Sequence, residues 1–142
     1  MMPALKVFDS WALLAWLLDQ PAAAHIETLL QQADQGGDIQ IAMSWVNVGE
    51  VYYMASRKLD ATRAEEFLKR LPSLPIRLVL PRDEDIIAAA KLKATRRISY
   101  ADAFAAALAQ SQGAALVTGD PELQAMSDVV MVEWIGPDPP AR

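Results

Sequence analysis

The sequence predicts an α/β fold, a three-layer α/β/α sandwich around a central, mainly parallel sheet of four to five strands. Short apolar runs alternate with longer helical segments along the whole chain, and hydrophobic residues make up 53% of the 142 residues against 22% charged. Strands that alternate with helices pair in parallel and are covered on both faces. The length suits one domain, predicted over residues 1–135, with the proline-rich residues 136–142 as a loose tail.

The first part of the chain predicts one strand followed by two helices. Residues 5–8 are a short apolar run, and the helical segment after it stops near residues 19–21. Residues 21–35 form the next predicted helix, because Pro21 occupies a favoured first-turn position and a Gly-Gly pair follows.

The middle of the chain predicts a strand at residues 38–43 and two more helices. Ser44 is a favourable N-cap for a helix that runs to residue 58. Asp60 starts the next helix, which Pro72 ends.

The last part predicts three strands and two helices. Ser99 caps the second of these helices, and Gly113 ends it. In order, the elements are a strand at 76–80, a helix at 83–93, a helix at 100–112, and strands at 114–118 and 129–134.

Composition excludes several classes of protein. Without cysteine there is no disulfide framework and no thiolate metal site. No apolar stretch reaches the roughly 18 residues that a membrane span needs, and the N-terminus lacks the features of a signal peptide, so a cytoplasmic location is expected. A net charge of −5 argues against a non-specific nucleic-acid coat.

Four acidic residues follow strands or lie in helices that a parallel sheet would bring together: Asp9, Glu50, Asp102 and Asp120. In such sheets ligands bind beyond the carboxyl ends of the strands, at a switch in strand order. Two like charges about 4 Å apart repel by roughly 4 kcal/mol at an effective dielectric of about 20. If the four carboxylates converge, a divalent metal site is the simplest account of them.

Each acid also has a structural interpretation. Asp9 is suited to cap the helix after it, Asp102 completes an S-x-x-D capping box, and Asp120 precedes a proline at a helix start. Glu50 lies inside its helix among apolar residues, where it is either a surface glutamate or a carboxylate in need of a partner. Asn47, one turn earlier, is placed to orient it.

Basic and aromatic residues leave two interpretations open. The acid-free group Lys91, Lys93, Arg96 and Arg97 is either a solvated helix face or a rim that contacts phosphate before Asp102. Trp11, Trp16, Tyr52 and Tyr53 are either core and interface residues or platforms for stacking bases. The single histidine, His25, lies in a helix without a catalytic partner and excludes a histidine-pair ribonuclease mechanism.

Four segments in this order carry a resemblance to a known family: VFDSWALLAWL, NVGEVYYMASRK, ISYADAFAAALA and ALVTGDPEL. Over nearly its whole length the chain resembles the PIN-domain ribonucleases, and most closely the small VapC-type toxins of toxin–antitoxin pairs. It departs from the pattern at Trp11, where many members place a small polar residue.

The resemblance implies a PIN-like fold and metal-dependent cleavage of RNA with Mg²⁺ or Mn²⁺, which oxygen ligands suit. It makes Asp9 and Asp102 the principal ligands, with Glu50 and Asp120 as further ligands or holders of water. Ser10, Asn47 and Thr118 become supporting polar residues. It further implies an RNA substrate, a cognate antitoxin protein and a homodimer, as expected of the toxin in a type II pair.

Other functions stay open at this point. One is a non-catalytic binding module of the same fold. Another is a receiver-like phosphoacceptor domain, although paired acids near the first strand and a lysine after a late strand are missing. A phosphatase of the haloacid-dehalogenase type would place an aspartate at position 11, which Trp11 occupies.

Overall fold

Five parallel strands form a single sheet in the computed structural model, which describes residues 2–137. The predicted α/β class is confirmed. The strands are β1 (Ala4–Phe8), β2 (Ile39–Ser44), β3 (Ile76–Val79), β4 (Ala115–Thr118) and β5 (Val132–Trp134). The helices are α1 (Ser10–Leu17), α2 (Ala23–Asp34), α3 (Trp45–Lys58), α4 (Ala61–Arg70), α5 (Asp83–Thr95), α6 (Tyr100–Gln112) and α7 (Pro121–Gln124), with a 3₁₀ turn at Leu71–Ser73.

The strand order is β3-β2-β1-β4-β5, with β1 at the centre. Val7 on β1 pairs with Ala42 on one side and with Leu116 on the other. The chain therefore builds the sheet outward from β1 in both directions, and the strand order switches between β1 and β4. A crevice for a ligand is expected beyond the carboxyl ends of these two strands.

Alternate residues of the central strands enter two separate hydrophobic clusters. Val7 and Leu116 pack in one cluster with residues of α5 and α6, while Phe8 and Val117 pack in the other with residues of α1 to α4. Successive side chains of a strand point to opposite faces, so this alternation shows that both faces are covered. The result is the predicted three-layer arrangement.

The chain departs from the predicted elements after β4. The helix start that Asp120 and Pro121 indicated forms a one-turn helix, α7, which the predicted order of elements did not include. Further along, the N–H groups of Val129 and Val130 both donate to the carbonyl of Met126. This turn occupies residues assigned to the last strand, which therefore starts at Val132.

The end of the described chain packs against Trp134, whose Nε1 donates to the Pro137 carbonyl at 3.0 Å. Of the predicted tail, residues 138–142 lie outside the described part, and the single-domain boundary stays a prediction. Within residues 2–137, no helix combines the length and the hydropathy needed to cross a bilayer.

Candidate metal centre

Three of the four predicted acids lie at helix starts beyond the sheet and act there as caps or within a cap. Asp9 accepts the N–H of Ala12 at 2.8 Å, and Asp120 accepts the N–H of Glu122 at 3.0 Å. The hydroxyl of Ser99 accepts the N–H of Asp102 at 3.1 Å. The caps inferred for Asp9 and Asp120 are confirmed, whereas among the described residues only the Ser99 half of the S-x-x-D capping box is formed. These bonds fix the backbone that carries the three carboxyl groups.

Capping does not keep the acids apart. One carboxylate oxygen each of Asp102, Asp120 and Glu122 lie within 4.8 Å of one another. With Glu50, these residues line a cleft of about 290 Å³, which we call the acidic cleft. Its wall also includes Ser10 and Trp11.

Glu122 was missed by the sequence reasoning. It lies two residues after Asp120, in the single turn of α7, which returns its side chain toward Asp102. The available signal was the order Asp-Pro-Glu: an N-cap, a proline at the first helical position, and an acid in the first turn.

Asp9 and Glu50 do not belong to the group of three. Asp9 is fully buried, and its second oxygen accepts the hydroxyl of Thr118 at 2.5 Å. The same Thr118 oxygen accepts the N–H of Asp120 at 3.0 Å, so one residue links the two acids. Glu50 is half-buried and accepts the hydroxyl of Tyr53 at 3.1 Å.

Asn47 is fully buried beside the acidic cleft and ties three helices together. Its Nδ2 donates to the Ser10 hydroxyl at 3.1 Å and to the carbonyl of Ala101 at 3.0 Å. The Ser10 hydroxyl in turn donates to the Asn47 carbonyl at 3.2 Å. Among the described residues Asn47 makes no hydrogen bond to Glu50, so its structural effect is to hold the backbone next to Asp102. The Asn47 Oδ1 atom is buried and has no hydrogen-bond partner within residues 2–137.

The electrostatics of the site favour a cation. Burial raises the pKa of Asp9 to about 7, and the charges of Asp120 and Glu50 add to this against the hydrogen bonds from Thr118 and Ala12. Burial also raises the pKa of Asp102 to about 8, reinforced by the charges of Asp120, Asp9 and Glu50. Across residues 2–137, no lysine or arginine forms an ion pair with any of these acids. A set of oxygen ligands with uncompensated charge fits Mg²⁺ or Mn²⁺.

We expect the substitution Glu122→Gln to weaken Mn²⁺ binding about tenfold, since it removes one charged oxygen from the group of three. Isothermal titration calorimetry measures the effect directly. Glu66→Gln, at an exposed position on α4, removes the same charge away from the site and is the matched control. Equal affinities of Glu122→Gln and the control would remove Glu122 from the site.

Two of the four basic residues before Asp102 form hydrogen bonds within the protein. Lys93 donates to the carbonyl of Ile98 at 2.9 Å, and the guanidinium of Arg96 donates to both carboxylate oxygens of Asp128 at 2.9 and 2.6 Å. Lys91 and Arg97 are exposed. A role of the four residues in binding RNA stays a prediction, and Lys91 and Arg97 are the better placed for it.

The sequence was compared with models of protein families and with the sequences of curated proteins. A family model described as PIN domain matches residues 6–129. No curated protein matches the chain in sequence.

Several solved structures share the fold at low sequence identity. VapBC2 from Rickettsia felis, bound to a DNA fragment from its promoter, is similar with a TM-score of 0.70 at 16% identity, over 91% of this chain and 97% of that chain. VapC20 from Mycobacterium tuberculosis, a toxin that cleaves the sarcin–ricin loop, has a TM-score of 0.70 at 15% identity, over 84% and 93%. VapBC-1 from nontypeable Haemophilus influenzae has a TM-score of 0.65 at 19% identity, over 92% and 97%.

Proposed function

The chain belongs to the PIN-domain family, and from that premise we propose that it is a metal-dependent endoribonuclease, the toxin of a type II toxin–antitoxin pair. The observation that carries the proposal is the group of three carboxylates, Asp102, Asp120 and Glu122, at the switch in strand order. Asp102 is buried, Asp120 is half-buried and Glu122 is exposed, and a divalent cation held between them would offset the repulsion among their charges.

Asp102, Asp120 and Glu122 are the residues proposed to hold the ion, while Asp9 and Glu50 add negative charge to the same site. The carboxylate oxygens of the group of three would hold Mg²⁺ or Mn²⁺, whose positive charge would activate water for attack on a phosphodiester and stabilise the phosphate oxygens. Asp102, whose pKa is raised by burial and by its acidic neighbours, releases its proton when a cation binds near neutral pH. Thr118 keeps Asp9 and the backbone of Asp120 in a fixed relation.

The proposed partners follow from the structural neighbours, several of which are toxin–antitoxin complexes. We propose a cognate antitoxin and a homodimer for this chain, in the cytoplasm, with RNA as substrate. Exposed apolar side chains on and before α5 support a protein contact: Leu80 is 75% exposed and Ile87 is 55% exposed.

The experiment that tests the function is cleavage of a structured RNA by purified protein in Mg²⁺, in Mn²⁺ and in chelator, with Asp102→Asn prepared in parallel. Metal-dependent cleavage by the wild type that this variant loses supports the nuclease. Equal cleavage in chelator, or by the variant, points to a contaminating ribonuclease. A folded protein that binds Mn²⁺ but cuts no RNA would favour a binding module of the same fold.

Charge reversal at Lys91 and Arg97 should lower RNA cleavage and flatten its salt dependence, because each cationic side chain that no longer binds a phosphate reduces the salt slope by about 1. The double variant Lys91→Glu/Arg97→Glu avoids Arg96, whose reversal would also break the ion pair with Asp128. Lys69→Glu, exposed on α4, serves as the control. Cleavage with an unchanged rate and salt slope would exclude this surface from substrate binding.

A further inference from the structure

A second cleft lies beside the acidic cleft and has a different chemistry. It encloses about 740 Å³, within the range of pockets that bind small organic groups. Two indole side chains, Trp11 and Trp134, line it, and we call it the tryptophan cleft. Gln20 and His25 provide polar groups in its wall.

Two glycines hold the indoles against the loop that carries Asp120. A Cβ atom at Gly119 would lie 2.3 Å from the ring of Trp11, and one at Gly136 would lie 2.6 Å from the ring of Trp134 and 2.9 Å from the Gly119 Cα. The glycines therefore allow close approach of ring and backbone. Both indoles are fixed by packing, as a binding platform requires.

The tryptophan cleft adjoins the acidic cleft, with the Trp11 side chain as their shared wall. Trp11 lines both, and Gly119 and Pro121, on either side of Asp120, line the tryptophan cleft. No aspartate or glutamate is among the lining residues that the structure describes. A chain of nucleotides can therefore place an uncharged base here without repulsion while a phosphate of the same chain reaches the acidic cleft.

His25 gives the cleft a directional polar group. Its Nε2 lies 3.1 Å from Oε2 of Glu133, and Lys6 donates to the other oxygen of that carboxylate. Because an ionised carboxylate only accepts hydrogen bonds, Nε2 carries a hydrogen. In the neutral ring, Nδ1 is then an acceptor that suits an N–H group on the edge of a base.

We propose that the tryptophan cleft is the subsite for one unpaired base of the RNA, next to the phosphate that is cut. The inference rests on the proposed function. Proteins that recognise single-stranded RNA stack bases on aromatic side chains, and removal of one such side chain weakens binding by about 5- to 150-fold. Trp11, the departure from the family pattern, supplies one wall of this subsite.

The test measures binding rather than cleavage, in an Asp102→Asn background that leaves RNA intact. Fluorescence anisotropy gives the affinity for a short labelled single-stranded RNA and for a set of copies, each with one abasic nucleotide. Trp134→Leu fills space without stacking and is expected to weaken binding about 5- to 150-fold, whereas Trp134→Phe keeps most of the affinity. Trp45→Ala removes a 42% exposed indole outside both clefts and is the control.

The decisive measurement is whether the effect of an abasic nucleotide on binding depends on the side chain at position 134. One abasic position should weaken binding to the parent protein but not further to Trp134→Leu, because both changes remove the same interaction. If no abasic position couples to Trp134, or if the parent protein binds no RNA, the subsite is rejected and the cleft is left to a protein partner. If the wild type cleaves RNA but no abasic position couples to Trp134, the nuclease function stands and the base subsite is rejected. If an abasic position couples to Trp134 but the wild type does not cleave RNA, the subsite stands and the nuclease function is rejected.

Discussion

Replacement of Asp102 by asparagine is expected to lower the rate of metal-dependent RNA cleavage by more than about 100-fold. Loss of groups that only orient metal ligands already costs about 10- to 100-fold, and Asp102 belongs to the group of three itself. The measurement is a single-turnover rate in saturating Mn²⁺. Glu66→Gln, on α4, is the matched control for charge. A rate within about threefold of the wild type would rule out Asp102 as a ligand.

The same substitution should make the metal-free protein more stable, which separates a functional loss from a folding defect. Burial and three neighbouring negative charges raise the pKa of Asp102, so its ionised form destabilises the folded state near neutral pH. Asparagine has a similar shape without the charge. We expect the free energy of unfolding in urea at pH 7.5 with chelator to rise by about 1–2 kcal/mol. A decrease would mean that Asp102 is a structural cap and not a strained ligand.

The free energy of unfolding of the metal-free protein should fall by about 4 kcal/mol between pH 5.5 and pH 7.5. The pKa values of Asp9 and Asp102 are raised from 3.8 to about 7 and about 8 in the folded state. Between the unfolded and folded values the folded protein binds more protons, so its stability decreases as the pH rises. Asp85 and Asp128, whose pKa values are lowered chiefly by hydrogen bonds from Arg82 and Arg96, stay ionised throughout this window.

Urea unfolding at several pH values measures this slope, and two variants assign it. Asp102→Asn and Asp9→Asn should each remove part of the slope, while Glu66→Gln should leave it unchanged. Mn²⁺ should reverse the trend, since it binds the ionised carboxylates of the folded state. Stability that is level or rising across this window in chelator would show that the acids are not held under repulsion.

The fold was predictable because its signals are local. The apolar runs around Val7, Ile41 and Leu116 are too short for helices, and the caps at Ser44 and Ser99 mark helix starts in the sequence itself. Parallel pairing then follows from the alternation of the elements. Only the last strand was placed too early, since the turn formed by Met126 with Val129 and Val130 has no distinctive sequence signal.

The site was less accessible because its arrangement depends on tertiary contacts. Asp102, Asp120 and Asp9 could be selected from their positions after strands and at helix starts, and the order Asp-Pro-Glu was a local signal for Glu122 that was overlooked. Nothing local indicates that Thr118 engages Asp9. The pairing of Arg96 with Asp128 joins residues 32 positions apart, and it is equally invisible in the sequence.

In the proposed function, one acidic cleft both binds a divalent cation and cuts RNA. The most direct test is to titrate chelator-treated protein with Mn²⁺ and to follow heat of binding and the rate of RNA cleavage under the same conditions. We expect the heat of binding and the cleavage rate to rise with one midpoint, and both to be lost in Asp102→Asn. Cleavage that persists in chelator, or that survives in Asp102→Asn after Mn²⁺ binding is lost, would contradict it.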